Sequence, residues 1–184
     1  MTESTPIRER NLRAWLRQHG AETIEHPGGT LYAHLSRVHD RLGRLGLDDD
    51  TRLAGLAHAA YGTDGFDVVL LDPRDRSTLR EIIGEAAENQ VHRYGGCDRS
   101  RTWQRLAGTG EIYNRFVQRP ERPGVAELRS FADLSIVNEL DVMEQLPSMR
   151  DEHGEYFRRL FAAWAAIASP QTIADARKVL GDAS

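Results

Sequence analysis

Seven histidines, His19, His26, His34, His39, His58, His92 and His153, are the residues here best suited to metal ligation or proton transfer near neutral pH. Helical phase sorts them, because a polar side chain on an apolar face must be paired or functional. His34 falls one turn from both Leu31 and Val38. His58 lies within the most apolar stretch, TRLAGLAHAAYGT, with Ala54 one turn before it and Tyr61 about one turn after. Asp133 shares its face with Leu134, Val137 and Leu140, an expensive place for an unpaired carboxylate. Taken singly, each is more simply a hydrogen-bonded core residue. Together, two neutral imidazoles and a carboxylate form the donor set of a divalent transition metal.

The remaining candidates surround that set. His26 occupies the turn His26-Pro27-Gly28-Gly29, eight residues before His34, and is read as a reserve ligand or proton donor; Tyr61 is read with it as a catalytic group. Arg93, Arg99 and Arg101, clustered near Asp98, are candidates to grip an anionic substrate bidentately, with surface ion pairing as the alternative. His92 is placed to line a site from its far side. His39 and His153 stand among charged neighbours and read as solvated, while His19 ends the first helix, where a cation suits the dipole. Glu139 and Asp141 fall off the Asp133 face.

The stretch TLYAHLSRVHDRLGRLGLDDDTRLAGLAHAAYGTDGF resembles the first half of HD-domain metal-dependent phosphohydrolases, in particular the hydrolase domain of the stringent-response alarmone enzymes. In that family a histidine on one helix is followed by an L-x-x-L-G-L-D-x-x-T connection and then by A-x-L-x-H-D. His34 matches the first histidine, Leu56-Ala57-His58 the second, and Phe131-Ala132-Asp133 resembles the later helix that supplies the last aspartate. The resemblance covers residues 26 to 67 and, weakly, 130 to 140. The chain also resembles a small bacterial set of HD-like proteins with the pattern A-G-L-x-H-x-x-Y-G-T.

What the resemblance implies is a Mn, Fe or Zn site on His34, His58 and Asp133, and hydrolysis of a small phosphorylated substrate. A second implication is an iron-dependent oxygenase, the other branch of the superfamily; a third is a metal-free scaffold that binds a small molecule or a protein partner. One departure bears on all three: Ala59 stands where the family's signature aspartate would be. Its loss removes one metal ligand, for which His26, Tyr61 or Asp64 are the available substitutes.

The elements that must position these residues are helices. Apolar spacing and breakers predict helices over about Pro6–His19, Thr30–Leu45, a third after Asp48-Asp49-Asp50 as far as Gly62, Ser77–Tyr94, Ser100–Leu106, Ala126–Leu146 and Glu152–Ala168, with a last short one after Ser169-Pro170. Val68–Leu71 reads as a short strand or a buried linker. The expectation is an all-α, single-domain, HD-like bundle of seven or eight helices over residues 1–184.

Composition agrees. With 184 residues, 40% apolar and 28% charged, the chain can bury roughly 70% of the surface that it exposes unfolded. One cysteine, Cys97, excludes an internal disulfide framework and a CxxC metal knuckle. A net charge of −4 argues against a nucleic-acid partner. The polar start MTESTPIRER and the lack of a long apolar run argue for a cytoplasmic protein with no membrane partner. Arginine outnumbers lysine 23 to one, a bias that a G+C-rich genome produces everywhere, so it does not by itself indicate an anionic ligand. The aromatic run Tyr156, Phe157, Phe161, Trp164 reads as core, or as the face of a homodimer.

Overall fold

The computed structural model describes residues 4–181, and its contacts divide the chain into two compact units, residues 1–95 and 96–184. The all-α class holds: apart from two short antiparallel hairpins, the regular elements among the described residues are helical.

In the first unit, α1 (Thr5–Gln18) starts after Ser4 with Pro6 in its first turn and buries Leu12, Trp15 and Leu16. A hairpin of β1 (Glu25–His26) and β2 (Gly29–Thr30) follows, where the sequence showed only a glycine-rich turn. Thr30 then caps α2 (Leu31–Arg44), its Oγ1 accepting the Ala33 N–H at 3.2 Å. Leu31, Leu35, Val38 and Leu42 form the fully buried stripe of α2, and His34 lies on it. Asp48 caps α3 (Asp49–Ala57) by accepting both the backbone N–H and the hydroxyl of Thr51.

The approach of α3 to α2 places the candidate site. A Cβ added to Gly55 would sit 2.3 Å from Leu42 Cδ1, so any larger residue there forces the buried Leu42 side chain to move, and glycine lets the two helices pack closely without that shift. That same close approach sets His58 opposite His34. The expected continuation of α3 to Gly62 is corrected. The helix ends at Ala57, His58 is its C-cap, and the chain turns until Gly62 at φ +73°. The Ala60 carbonyl in this turn accepts the amides of both Leu70 and Leu71, so Val68–Leu71 is a pinned linker rather than a strand.

The single helix expected over Ser77–Tyr94 is two, α4 (Arg76–Ile83) and α5 (Glu85–Gly96). Gly84 between them adopts φ +87°, which breaks the helical path, and α4 is capped by Asp75.

The second unit has two short helical turns, α6 (Arg99–Thr102) and α7 (Leu106–Thr109), joined by a 3-10 turn at Trp103–Arg105. A hairpin of β3 (Ile112–Asn114) and β4 (Arg119–Glu121) follows, in register Ile112↔Glu121. Then comes α8 (Val125–Gln145), buried on nearly every side from Phe131 to Asp141. Pro147, expected only to stop α8, also begins α9 (Pro147–Ala163), and α10 (Pro170–Leu180) closes the unit. Phe157, Phe161 and Trp164 are core, whereas Tyr156 is 40% exposed.

Candidate functional site

His34 and His58 meet in the first unit, as their phase predicts. Their Nε2 atoms are 3.3 Å apart, and both rings are buried. His58 Nδ1 lies 2.7 Å from the Gly55 carbonyl oxygen. A carbonyl only accepts, so His58 carries its proton on Nδ1 and turns the lone pair of Nε2 toward His34. Fixing a tautomer by a backbone carbonyl behind the ring is the usual support of a metal-ligating histidine.

The spacing tests the fit of an ion. Two nitrogens each about 2.1 Å from one metal are about 3.0 Å apart at a right angle and about 3.4 Å apart at the tetrahedral angle. The observed 3.3 Å lies inside that window and just beyond the usual range for a hydrogen bond donated by nitrogen. Two ligands therefore fit. A third does not join them: among the described residues no group of three or more His, Cys, Asp or Glu side chains could hold a metal ion. Of the expected ligands, His34 and His58 are the two brought together within the first unit.

His26 packs against this pair without extending it. Its half-buried ring stacks on His34 with centroids 4.0 Å apart and meets Phe66 edge-on at 5.3 Å. Tyr94 stands edge-on to His58 at 5.2 Å. Position 59, where the signature aspartate would stand, is a buried alanine.

Tyr61, expected as a catalytic group, is engaged with Glu88. Its hydroxyl donates to Glu88 Oε1 at 3.0 Å, and its ring meets His92 edge-on at 5.7 Å. Burial, and then the neighbouring Glu88 carboxylate, push the Tyr61 phenol far above its ordinary value, so it remains a neutral donor. Glu88 is fully buried and anchors α4 to α5. Arg76 grips it with two bonds of 2.7 Å from Nε and Nη2, and Arg80 donates Nε–H at 3.0 Å. Asn89 Oδ1 takes a further bond from Nη2 of each arginine. Sequence reading missed this cluster; its signal was Arg76 and Arg80 one turn apart on a helix, ahead of a Glu-Asn pair on the next. Burial, and secondarily the charge of Arg76, hold His92 below its ordinary pKa.

In the second unit, Asp133 is inward as expected, and it caps the start of α10. Oδ1 accepts the Ser169 N–H at 2.8 Å and Oδ2 accepts the Ser169 hydroxyl at 2.6 Å, tying α8 to the start of α10. Burial pushes the Asp133 carboxyl up, against the opposing pull of these bonds. A raised pKa means that folding disfavours the ionised form, so Asp133 contributes less to stability as pH rises through its titration. Asn at 133 keeps the amide acceptor, reverses the bond to the hydroxyl and buries no charge. Asp133→Asn is therefore expected to stay within about 1 kcal/mol of wild type at neutral pH and to gain on it as pH rises, while Asp133→Ala loses about 2 kcal/mol. Urea unfolding across the carboxylate range checks both; an Asn variant as weak as the Ala variant contradicts the cap.

Of the expected substrate arginines, Arg99 and Arg101 lie in this unit and pack on aromatic rings, while Arg93 belongs to the first. Arg99 pairs with Glu139 at 2.9 Å and lies over the Trp103 ring, and the exposed Arg101 packs its guanidinium on Tyr113. Arg93 is half-buried on α5. Among the other histidines, His39 overturns the expectation of solvation: it is 3% exposed, with Nδ1 3.0 Å from Asp40 and Nε2 3.6 Å from Glu9. His153 is exposed beside Glu152, and His19 stacks on Trp15.

No helix among the described residues is long and apolar enough to cross a membrane. No curated protein and no solved structure matches the chain. Residues 15–99, which hold the histidine pair and the Glu88 cluster but neither Arg101 nor Asp133, match the family described as a domain of unknown function, DUF6817.

Proposed function

We propose that the chain is a cytoplasmic, metal-dependent hydrolase of HD type, in which His34 and His58 hold one divalent Mn, Fe or Zn ion and the substrate is a small phosphorylated molecule. The observation that carries this reading is the 3.3 Å Nε2–Nε2 spacing together with the bond that sets the His58 tautomer. When bound, the ion would supply Lewis acidity toward a phosphoryl group. The chain's own share is to present two neutral imidazoles from α2 and the end of α3, with His26 stacked over His34 and positioned to orient it or to move a proton.

A competing reading is a metal-free binding scaffold in which the two imidazoles share a hydrogen bond. Buried Ala59 favours it, because no carboxylate stands beside His58 in the chain. Metal analysis separates the two. Protein purified without added ions and then titrated with Mn²⁺, Fe²⁺ or Zn²⁺ is expected to take up one equivalent. His58→Ala abolishes uptake, and His153→Ala leaves it unchanged. Less than about 0.1 equivalent, with no recovery on titration, overturns the enzyme reading in favour of the scaffold.

A further inference from the structure

The Glu88 cluster carries more positive charge than the carboxylate can absorb. Arg76 and Arg80 bring two guanidinium charges to one Glu88. Asp75, the cap of α4, is occupied by Thr78 and by the Ser77 hydroxyl, and Glu81, the acid within α4, pairs with neither arginine among the described residues. Asp72, before α4, is matched by Arg74. The cluster is left with an excess of one positive charge.

The geometry shows where that charge points. Each guanidinium spends its Nε and Nη2 on Glu88 and Asn89. Neither Nη1 has a protein partner among the described residues, and neither is sealed from solvent. The two side chains are 31% and 38% exposed, whereas the carboxylate that holds them is fully buried. Two guanidinium edges one helical turn apart are thus fixed from behind and open in front. Ordering an arginine usually costs side-chain entropy at the moment of binding; here folding has already spent it. Planar N–H donors with excess positive charge suit the oxygens of a phosphate.

We propose that Arg76 and Arg80, held by Glu88 and Asn89, form a phosphate-binding subsite, specific for phosphate and phosphate monoesters over monovalent anions. It stands independently of the histidine pair, and so of any metal.

The test is phosphate binding to the full chain in the presence of a chelator, which removes metal ions from the question. Inorganic phosphate and phenyl phosphate are each expected to bind saturably and to shift the Arg76 and Arg80 Nε–Hε resonances, while chloride at matched ionic strength does not. Arg76→Lys and Arg80→Lys, which keep the charge but lose the fork, should each weaken phosphate binding by about tenfold or more. Arg74→Gln, on the exposed Asp72 pair, should not. Binding that chloride reproduces, or saturable binding that leaves both arginine resonances unmoved, overturns the subsite. The resonance shifts are read in the wild-type protein, so the outcome does not depend on either variant folding.

Discussion

Trp164→Ala is expected to cost about 4 kcal/mol, the largest single loss among the side chains discussed. Trp164 is fully buried in the 3-10 turn that follows α9. Its indole N–H donates to the Trp103 carbonyl at 3.1 Å, and its ring meets Trp103 edge-on at 5.8 Å and Phe161 at 6.0 Å. Alanine removes the transfer energy of the indole, leaves a cavity that these rigid rings cannot collapse into, and strips the Trp103 carbonyl of its donor. Phenylalanine restores most of the volume but not the bond, so Trp164→Phe should lose less than half as much. Urea unfolding followed by far-ultraviolet circular dichroism, which does not rely on the altered fluorophore, measures both. A loss below about 1 kcal/mol for the alanine variant would remove Trp164 from the core.

Much of the fold was legible because its apolar period is regular and its caps are conventional. Thr30 and Asp48 mark helix starts, and the Leu31-Leu35-Val38-Leu42 stripe fixes the face of α2, hence the direction of His34. His58 was correctly read as buried but wrongly as mid-helix. The small residues around it are equally compatible with helix and with a tightly packed turn, and only the packing of Leu70 and Leu71 amides onto Ala60 decides between them. Phase told that Asp133 faces inward, but not what it meets: its partner, Ser169, lies 36 residues away at the start of another helix. His39 failed for the converse reason. Charged neighbours suggested water, yet the imidazole is buried, with Asp40 at 3.0 Å from Nδ1 and the distant Glu9 at 3.6 Å from Nε2.

The Glu88 cluster was the least legible part, since each member looks like an ordinary surface charge until the break at Gly84 folds α4 against α5. Its energetic weight is open to measurement. Glu88→Ala is expected to destabilise the protein by about 3 kcal/mol. Removing one partner from a buried ion pair costs about 3–5 kcal/mol, mostly through the charge left behind. Here the orphaned arginines are 31% and 38% exposed and can rehydrate, which places the loss at the lower end. Two terms keep it from falling further: Arg76 and Arg80 then face each other as like charges, and the buried Tyr61 hydroxyl loses its acceptor. Glu88→Gln keeps one oxygen for Tyr61 or an arginine and should lose about half as much. Because the carboxylate is sealed from solvent, the loss should persist in about 1 M salt, where exposed pairs are screened within about 3 Å. Urea midpoints at low and high salt read both effects. A loss that vanishes at high salt would make Glu88 a surface charge and remove the support on which the ordered arginine edges depend.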